Sequence, residues 1–270
     1  MDKLKTEHIY QGNCIDVLKD MPSESIDCVV TSPPYWSLRN YQEEEQLGLE
    51  ETPEEFVANL VKVFSEVKRV LKSSGSLWLN LGDTYYNKSL AGIPFRVAFA
   101  LQADGWYLRQ DIIWAKNNCM PESVKDRCTK SHEYIFLLTK SPKYFYDIDA
   151  IREKANYPND DRGARGDRRR GTECNSMSGK TGETRNKRSV WTITTKPYKG
   201  AHFATFPIEL PTYCIKAGCP EGGIVLDPFF GSGTTGLASQ EQNRHWVGIE
   251  LNEEYIEIAK TRTSQVNLFV

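Results

Sequence analysis

With 270 residues, 39% of them apolar and 26% charged, the chain is long enough to bury a large core as one domain, or as one domain carrying an insertion. No apolar run reaches membrane-spanning length and no signal-peptide pattern opens the sequence, which points to a cytoplasmic protein with no membrane partner. The net charge of −2 excludes a uniformly basic chain, and seven cysteines at irregular spacing, with no Cys-x-x-Cys pair, read as reduced packing thiols rather than a disulfide framework or metal site.

Near the N-terminus, Gln11-Gly12-Asn13-Cys14-Ile15-Asp16 reads as a turn between a short strand and a helix. The apolar run Ile26 to Val30 follows as a buried strand, and it delivers Thr31-Ser32-Pro33-Pro34-Tyr35-Trp36 to its C-terminal end. Two consecutive prolines restrict φ and donate no hydrogen bonds, so the carbonyls of Ser32 and Pro33 are aimed. A fixed carbonyl, a hydroxyl and an aromatic face form a receptor for a planar ring bearing an amino group. Because the lone pair of such an amine is delocalised into the ring, a site that activates it must accept both N–H bonds, and the Ser32 hydroxyl and Pro33 carbonyl can serve as the two acceptors.

Thr52-Pro53-Glu54-Glu55 has the spacing of a capping box with proline at the first helical position; Phe56, Leu60, Phe64, Val67 and Leu71 then recur at helical spacing as a packing face. A strand over Ser76 to Leu81, a helix from about Pro94 to Asp104 and strands near Tyr107 to Lys116 and Glu133 to Thr139 come next. Asn80, Gly82 and Asp83 fall at the C-terminal strand edge, where Asp83 either lines a pocket or caps the following turn. Alternation of strands and helices implies an α/β doubly wound, mostly parallel sheet.

Charge is unevenly distributed. Between Arg152 and Arg188 there are eleven Lys/Arg against six Asp/Glu, a local charge of +5 that leaves −7 on the rest of the chain. This segment has almost no apolar residues, so it reads as a loop or as disordered without a partner. With Lys116-Asn117-Asn118 and Lys125-Asp126-Arg127 it reads as a nucleic-acid-contacting region in which Arg168, Arg169 and Arg170 neutralise phosphates. A solvated linker is the competing reading for any one arginine.

After a helical stretch over Ile208 to Ala217, Gly222-Gly-Ile-Val-Leu-Asp-Pro-Phe-Phe-Gly-Ser-Gly-Thr-Thr-Gly236 reads as a strand, a glycine turn and a helix running to about Asn243. A further strand, Trp246 to Ile249, ends in Glu250, where an acid commonly takes the hydroxyls of a ribose. Residues 231 to 236 also satisfy the dinucleotide fingerprint GxGxxG. Asp227-Pro228-Phe229-Phe230 argues against it, because a carboxylate and two phenylalanines stand where pyrophosphate needs room.

Ser32-Pro33-Pro34-Tyr35 resembles the catalytic tetrapeptide of DNA methyltransferases that act on exocyclic amines, and residues 225 to 235 resemble the S-adenosylmethionine motif of the same family. The catalytic segment precedes the cofactor loop, as in the permuted beta group of restriction-modification amino-methyltransferases of cytosine-N4 and adenine-N6 type. The resemblance covers about residues 7 to 150 and 189 to 262. It implies a Rossmann-like methyltransferase fold with an inserted target-recognition region, divided as 1–116 (catalytic part), 117–190 (insert, with a basic loop over about 152–188) and 191–270 (cofactor part). It implies S-adenosylmethionine as cofactor, with Asp227, Phe229, Gly231, Ser232, Gly233 and Thr234 facing the methionine moiety, Glu250 the ribose, Asn13 and Cys14 the adenine, and Thr205 of the His202 to Pro207 segment the methionine carboxylate. Tyr35 would stack on a base turned out of double-stranded DNA. His132-Glu133 resembles a pocket-wall element. Serine at the first position resembles cytosine-N4 enzymes; adenine-N6 is the alternative. The absence of a Pro-Cys pair speaks against methylation of a cytosine ring carbon. Self-association and a restriction endonuclease acting at the same site without contact are further implications. Competing classes are an NAD-dependent oxidoreductase, a non-catalytic DNA-binding module, and a methyltransferase for RNA or protein.

Overall fold

The structure, a computed structural model, describes residues 4–38, 46–156, 182–195 and 206–265. Along the chain run β1 (His8–Gln11), α1 (Cys14–Asp20), β2 (Ile26–Thr31), α2 (Pro53–Val70), β3 (Leu71–Leu81), the β4–β5 hairpin (Tyr85–Tyr86, Ser89–Leu90), α3 (Ile93–Ala103), β6 (Tyr107–Ala115) and β7 (His132–Thr139). Two short strands, β8 (Glu153–Lys154) and β9 (Thr184–Arg185), precede β10 (Val190–Thr192), α4 (Glu209–Gly218), β11 (Ile224–Asp227), α5 (Thr234–Glu241), β12 (His245–Glu250) and α6 (Glu253–Gln265).

Eight strands form one sheet in the order β1-β12-β11-β2-β3-β7-β6-β10, in which β7 runs antiparallel to both of its neighbours and the other pairings are parallel. The late strand β11 thus lies directly beside the early strand β2, with Val225 opposite Cys28 and Leu226 opposite Val29. Parallel neighbours present their C-terminal ends together, so the segments after Thr31 and after Asp227 emerge side by side.

Strand alternation assigns the two faces. Leu77, Leu79 and Leu81 of β3 join the core built by Phe56, Leu60, Phe64 and Val67 of α2 and Val97 and Leu101 of α3. Ser76 and Trp78 point to the other face, where they meet Gly218 at the end of α4 so closely that a Cβ there would lie 2.6 Å from the serine hydroxyl and 2.3 Å from the indole nitrogen. The N-cap half of the capping box is formed: the Thr52 hydroxyl accepts the Glu55 amide at 3.2 Å.

The chain divides into two compact units, Met1–Tyr146 with Ser189–Val270, and Asp147–Arg188. These boundaries lie inside the expected insert of 117–190, because β7 hydrogen-bonds into the middle of the main sheet. Within the smaller unit, the ends of the basic segment do not read as plain loop: Glu153 accepts from Arg185 at 2.8 Å and Arg188 at 2.6 Å, and β8 pairs with β9. One partly buried carboxylate shared by two guanidiniums joins the two ends of the segment. Among the described residues, no helix is long and apolar enough to cross a membrane.

Candidate active site

Thr31 and Asp227 join the two motifs. The Thr31 hydroxyl donates to Asp227 Oδ1 at 2.6 Å, across 196 positions of sequence. The same carboxylate accepts the Phe229 amide at 3.0 Å and the Thr235 hydroxyl at 2.6 Å, so it also closes its own loop onto the start of α5. Asp227 is 2% exposed. Burial pushes its carboxyl up to about 6, against the opposing pull of the Thr235, Thr31 and Phe229 donors. The resemblance places Asp227 at the methionine moiety; Asp227 is among the residues lining the cleft, and its carboxylate staples the two strand ends.

This buried acid has a pH signature. Its folded value lies above its ordinary 3.8, so the stability it contributes is present below about pH 4 and is lost as pH rises through about 6. Asp227→Asn removes that leg, and the stability of wild type relative to Asp227→Asn is expected to fall by roughly 3 kcal/mol between about pH 4 and pH 7 in urea unfolding. Equal slopes for the two proteins would show that the group is not buried as a charge.

The cleft has a volume of about 1050 Å³ and opens at the C-terminal edge of the sheet. One end is lined by Asn13, Cys14, Asp227, Phe229, Gly231, Ser232, Thr234 and Glu250. Glu250 reaches it from the tip of β12, accepting the Gly231 amide at 2.7 Å and the Asn252 amide at 2.9 Å; burial raises its carboxyl as well. Two further lone-pair positions per carboxylate suit a pair of hydroxyls. Asn13 caps α1 through its side-chain oxygen, 3.0 Å from the Ile15 amide, and still lines the cleft, so the turn and ligand readings of this residue are compatible. Burial pushes the Cys14 thiol up to about 12, which leaves it un-ionised.

The glycine turn is shaped from behind. The Phe230 ring stacks on Trp246 with centroids 5.0 Å apart and is 3% exposed. It lies so close to Gly248 and Gly236 that a Cβ at either would come within 2.4 and 2.8 Å of it. Gly233, at φ +79°, backs onto Ala259 of α6 rather than facing the cleft. Arg262 of α6 donates to the Ser232 carbonyl at 2.7 Å and to its hydroxyl at 2.5 Å.

Ser32, Pro33, Pro34 and Tyr35 line the other end. Trp36 anchors the segment, 2% exposed with its indole N–H on the Glu50 carbonyl at 2.9 Å. Asn80 of β3 and Glu133 of β7 lie on one face of adjacent strands, and their side chains meet Ser32 and Tyr35. Lys116, expected to contact DNA, lines this wall, where its ammonium pairs with Glu133 and lies 4.4 Å over the Trp114 ring. Arg127 is likewise engaged within the fold, paired with Glu122 and 4.0 Å over the Tyr85 ring. Partly buried cations take such partners because an unpaired charge there is costly.

Asp83 caps rather than lines: its Oδ1 accepts the Thr84 and Ile93 amides, each at 3.0 Å. His132 contacts the Tyr134 hydroxyl at 3.2 Å, off the cleft wall. Thr205, Arg168, Arg169 and Arg170 lie outside the described residues. Thr31, Thr235 and Arg262 escaped sequence reasoning, since nothing local marks a hydroxyl or guanidinium that supports a loop from behind.

Residues 26–261 match the DNA methylase family model N6_N4_Mtase. The Type II methyltransferase M.XycI of Xanthomonas campestris pv. cyanopsidis is 47% identical over 98% of this chain and 90% of its own length. Among solved structures, the PvuII DNA methyltransferase (cytosine-N4-specific) superposes with a TM-score of 0.71 at 21% identity, covering 96% of this chain and 90% of that one, a likeness of fold. The Thermus thermophilus protein TTHA0409, solved in complex with S-adenosyl-L-methionine, gives a TM-score of 0.65 at 27% identity over 95% and 94% of the two chains. With a family match over most of its length and a relative at this identity, the chain belongs to the DNA methylase family of N6 and N4 methyltransferases.

Proposed function

We propose that this protein transfers the methyl group of S-adenosylmethionine to the exocyclic N4 amine of a cytosine turned out of duplex DNA at a specific site. The observation that carries the reading is the Thr31–Asp227 hydrogen bond, which seats the amine-receptor segment and the glycine turn at one cleft.

The residues fit the cofactor. A glycine turn opening α5, an acid at the tip of β12 and the Asn13-Cys14 turn line one continuous wall, and Gly231 leaves that wall without a side chain. When bound, S-adenosylmethionine supplies an electrophilic methyl group on a sulfonium. Glu250 then takes the ribose hydroxyls, Asn13 and Cys14 flank the adenine, Phe229 covers the methionine side, and Thr205 is the contact for its carboxylate. At the opposite end Ser32 Oγ and the Pro33 carbonyl accept the two N–H bonds of the amine, and Tyr35 stacks on the base. Attack is direct, without a covalent enzyme intermediate, so catalysis is positioning and electrostatics.

Serine in place of an acid at position 32 supports cytosine: a neutral acceptor suffices for an amine whose ring nitrogen shares the developing charge. Duplex DNA is the partner, with Arg168, Arg169 and Arg170 on phosphates and the 117–190 region choosing the site. A restriction endonuclease reading the same site is the companion this function implies.

Incubating the protein with S-adenosylmethionine and duplex DNA, then identifying modified nucleosides by mass spectrometry, is expected to yield N4-methylcytosine. N6-methyladenine would transfer the same mechanism to the other base; no methylated nucleoside on any duplex would overturn the reading.

A further inference from the structure

Behind the Ser-Pro-Pro-Tyr segment, three oxygens stand in a directed chain. The Ser32 hydroxyl donates to Tyr35 Oη at 3.3 Å, and the Tyr35 hydroxyl donates to Glu133 Oε2 at 2.7 Å. Asn80 turns the N–H side of its amide to all three, 3.3 Å from Ser32 Oγ, 2.8 Å from Tyr35 Oη and 2.9 Å from Glu133 Oε2. Among the described residues its own carbonyl oxygen is buried with no hydrogen-bond partner. An amide held with one polar atom unsatisfied is held there by what its other end aligns. The Lys116 ammonium takes the second oxygen of Glu133, Oε1, and so leaves Oε2 to Tyr35 and Asn80.

Methylation of an amine must discard one proton, because two N–H bonds become one. We infer that this proton leaves along Ser32, Tyr35 and Glu133, with the Glu133 carboxylate as terminal acceptor. The inference rests on the amino-methyltransferase reading and assigns roles which that reading leaves open. As the amine lone pair forms the bond to the methyl carbon, the carbon–sulfur electron pair stays on sulfur. An amine proton then passes to Ser32 Oγ, the serine's own proton to Tyr35 Oη, and the tyrosine's proton to Glu133 Oε2, which later releases it to water. Ser32 takes the proton from the amine; the Tyr35 hydroxyl and Glu133 act through it, while the Tyr35 ring stacks on the base, and Asn80 and Lys116 are positioning residues that fix the order of the relay.

Glu133→Gln keeps the shape of the side chain and an acceptor for Tyr35 but cannot take a proton, and Tyr35→Phe keeps the stacking ring but breaks the relay. Each is expected to lower the single-turnover rate of methyl transfer roughly 100-fold, with cofactor and DNA dissociation constants unchanged. The double variant is expected to be no slower than the slower single, because both cut one path. Infrared difference spectra during a wild-type turnover are expected to show a transient protonated-carboxyl C=O band that is missing in Glu133→Gln. A Glu133→Gln rate close to wild type, multiplying losses in the double variant, or no carboxyl band would each overturn the relay while leaving methyl transfer intact. If Glu133→Gln does not fold because Lys116 loses its partner, Lys116→Met with Glu133→Gln removes the stranded cation and is read the same way. Absence of methyl transfer by the wild-type protein would instead contradict the function itself.

Discussion

Ser32→Ala is expected to slow single-turnover methyl transfer by about 10²–10³-fold while S-adenosylmethionine binds as it does to the wild type. The hydroxyl's contacts within the protein, to Tyr35 and Asn80, are both 3.3 Å long, and its surroundings are otherwise those of an open cleft wall. Removing it therefore leaves the fold in place: the segment is held by Trp36, by Thr31 on Asp227 and by its two prolines, none of which uses this oxygen. What disappears is one of two acceptors that draw the amine nitrogen away from planarity, an interaction that strengthens only as charge develops. Rapid-quench measurement with labelled cofactor, alongside calorimetric cofactor binding, separates the two effects. A wild-type rate in Ser32→Ala would remove this residue from the chemistry.

Gly248→Val is expected to cost about 1–3 kcal/mol of stability and most of the affinity for cofactor, although residue 248 lies under the loop and not on the cleft wall. The β-carbon it introduces would sit 2.4–2.6 Å from the Phe230 ring. That ring cannot slide away, because Trp246 stacks on it and the backbones of Gly236 and Gly233 close in on its other edges. Phe230 must lift, and with it the Asp227–Gly231 turn that accepts the amide of Phe229 on Asp227 and offers the amide of Gly231 to Glu250. Adding Phe230→Ala to Gly248→Val makes room for the new side chain and is expected to recover part of the stability without full cofactor binding. Thermal unfolding with and without S-adenosylmethionine checks both statements; unchanged cofactor-induced stabilisation in Gly248→Val would show that Phe230 does not shape the turn.

Motifs that are contiguous in the chain are legible in the sequence: the strand and hook at Ile26–Trp36, the strand, glycine turn and helix after Ile224, and the helix N-cap at Thr52 all form where local chemistry requires them. Their meeting at one sheet edge followed from the rule that parallel α/β sheets collect ligand loops at C-terminal strand ends. What stayed hidden depends on register. Asn80 and Glu133 are 53 positions apart, and they meet because Asn80 pairs with Ile135 on antiparallel strands, which places Glu133 on the same face two residues along. Reading β7 as antiparallel needs the sheet order, which alternation in sequence does not supply. The acidic partners of Lys116 and Arg127 were hidden too, because charge alone does not reveal that Glu133 and Glu122 lie opposite them. The two uses of glycine were also indistinguishable in sequence: Gly231 bares the cleft wall, whereas Gly236 and Gly248 make space for an aromatic ring behind it.

What the proposed function requires is one juxtaposition, in which the segment after β2 and the turn after β11 present one amine to one methyl group. It is tested most directly by solving the protein with a non-reactive analogue of S-adenosylmethionine and a duplex that carries its site. The target nitrogen is expected within hydrogen-bond reach of Ser32 Oγ and about 3–3.5 Å from the position of the transferable carbon, with the analogue lying along Phe229, Gly231 and Glu250. A cofactor bound elsewhere, or a base that reaches the cleft with its amine turned away from Ser32, would contradict it.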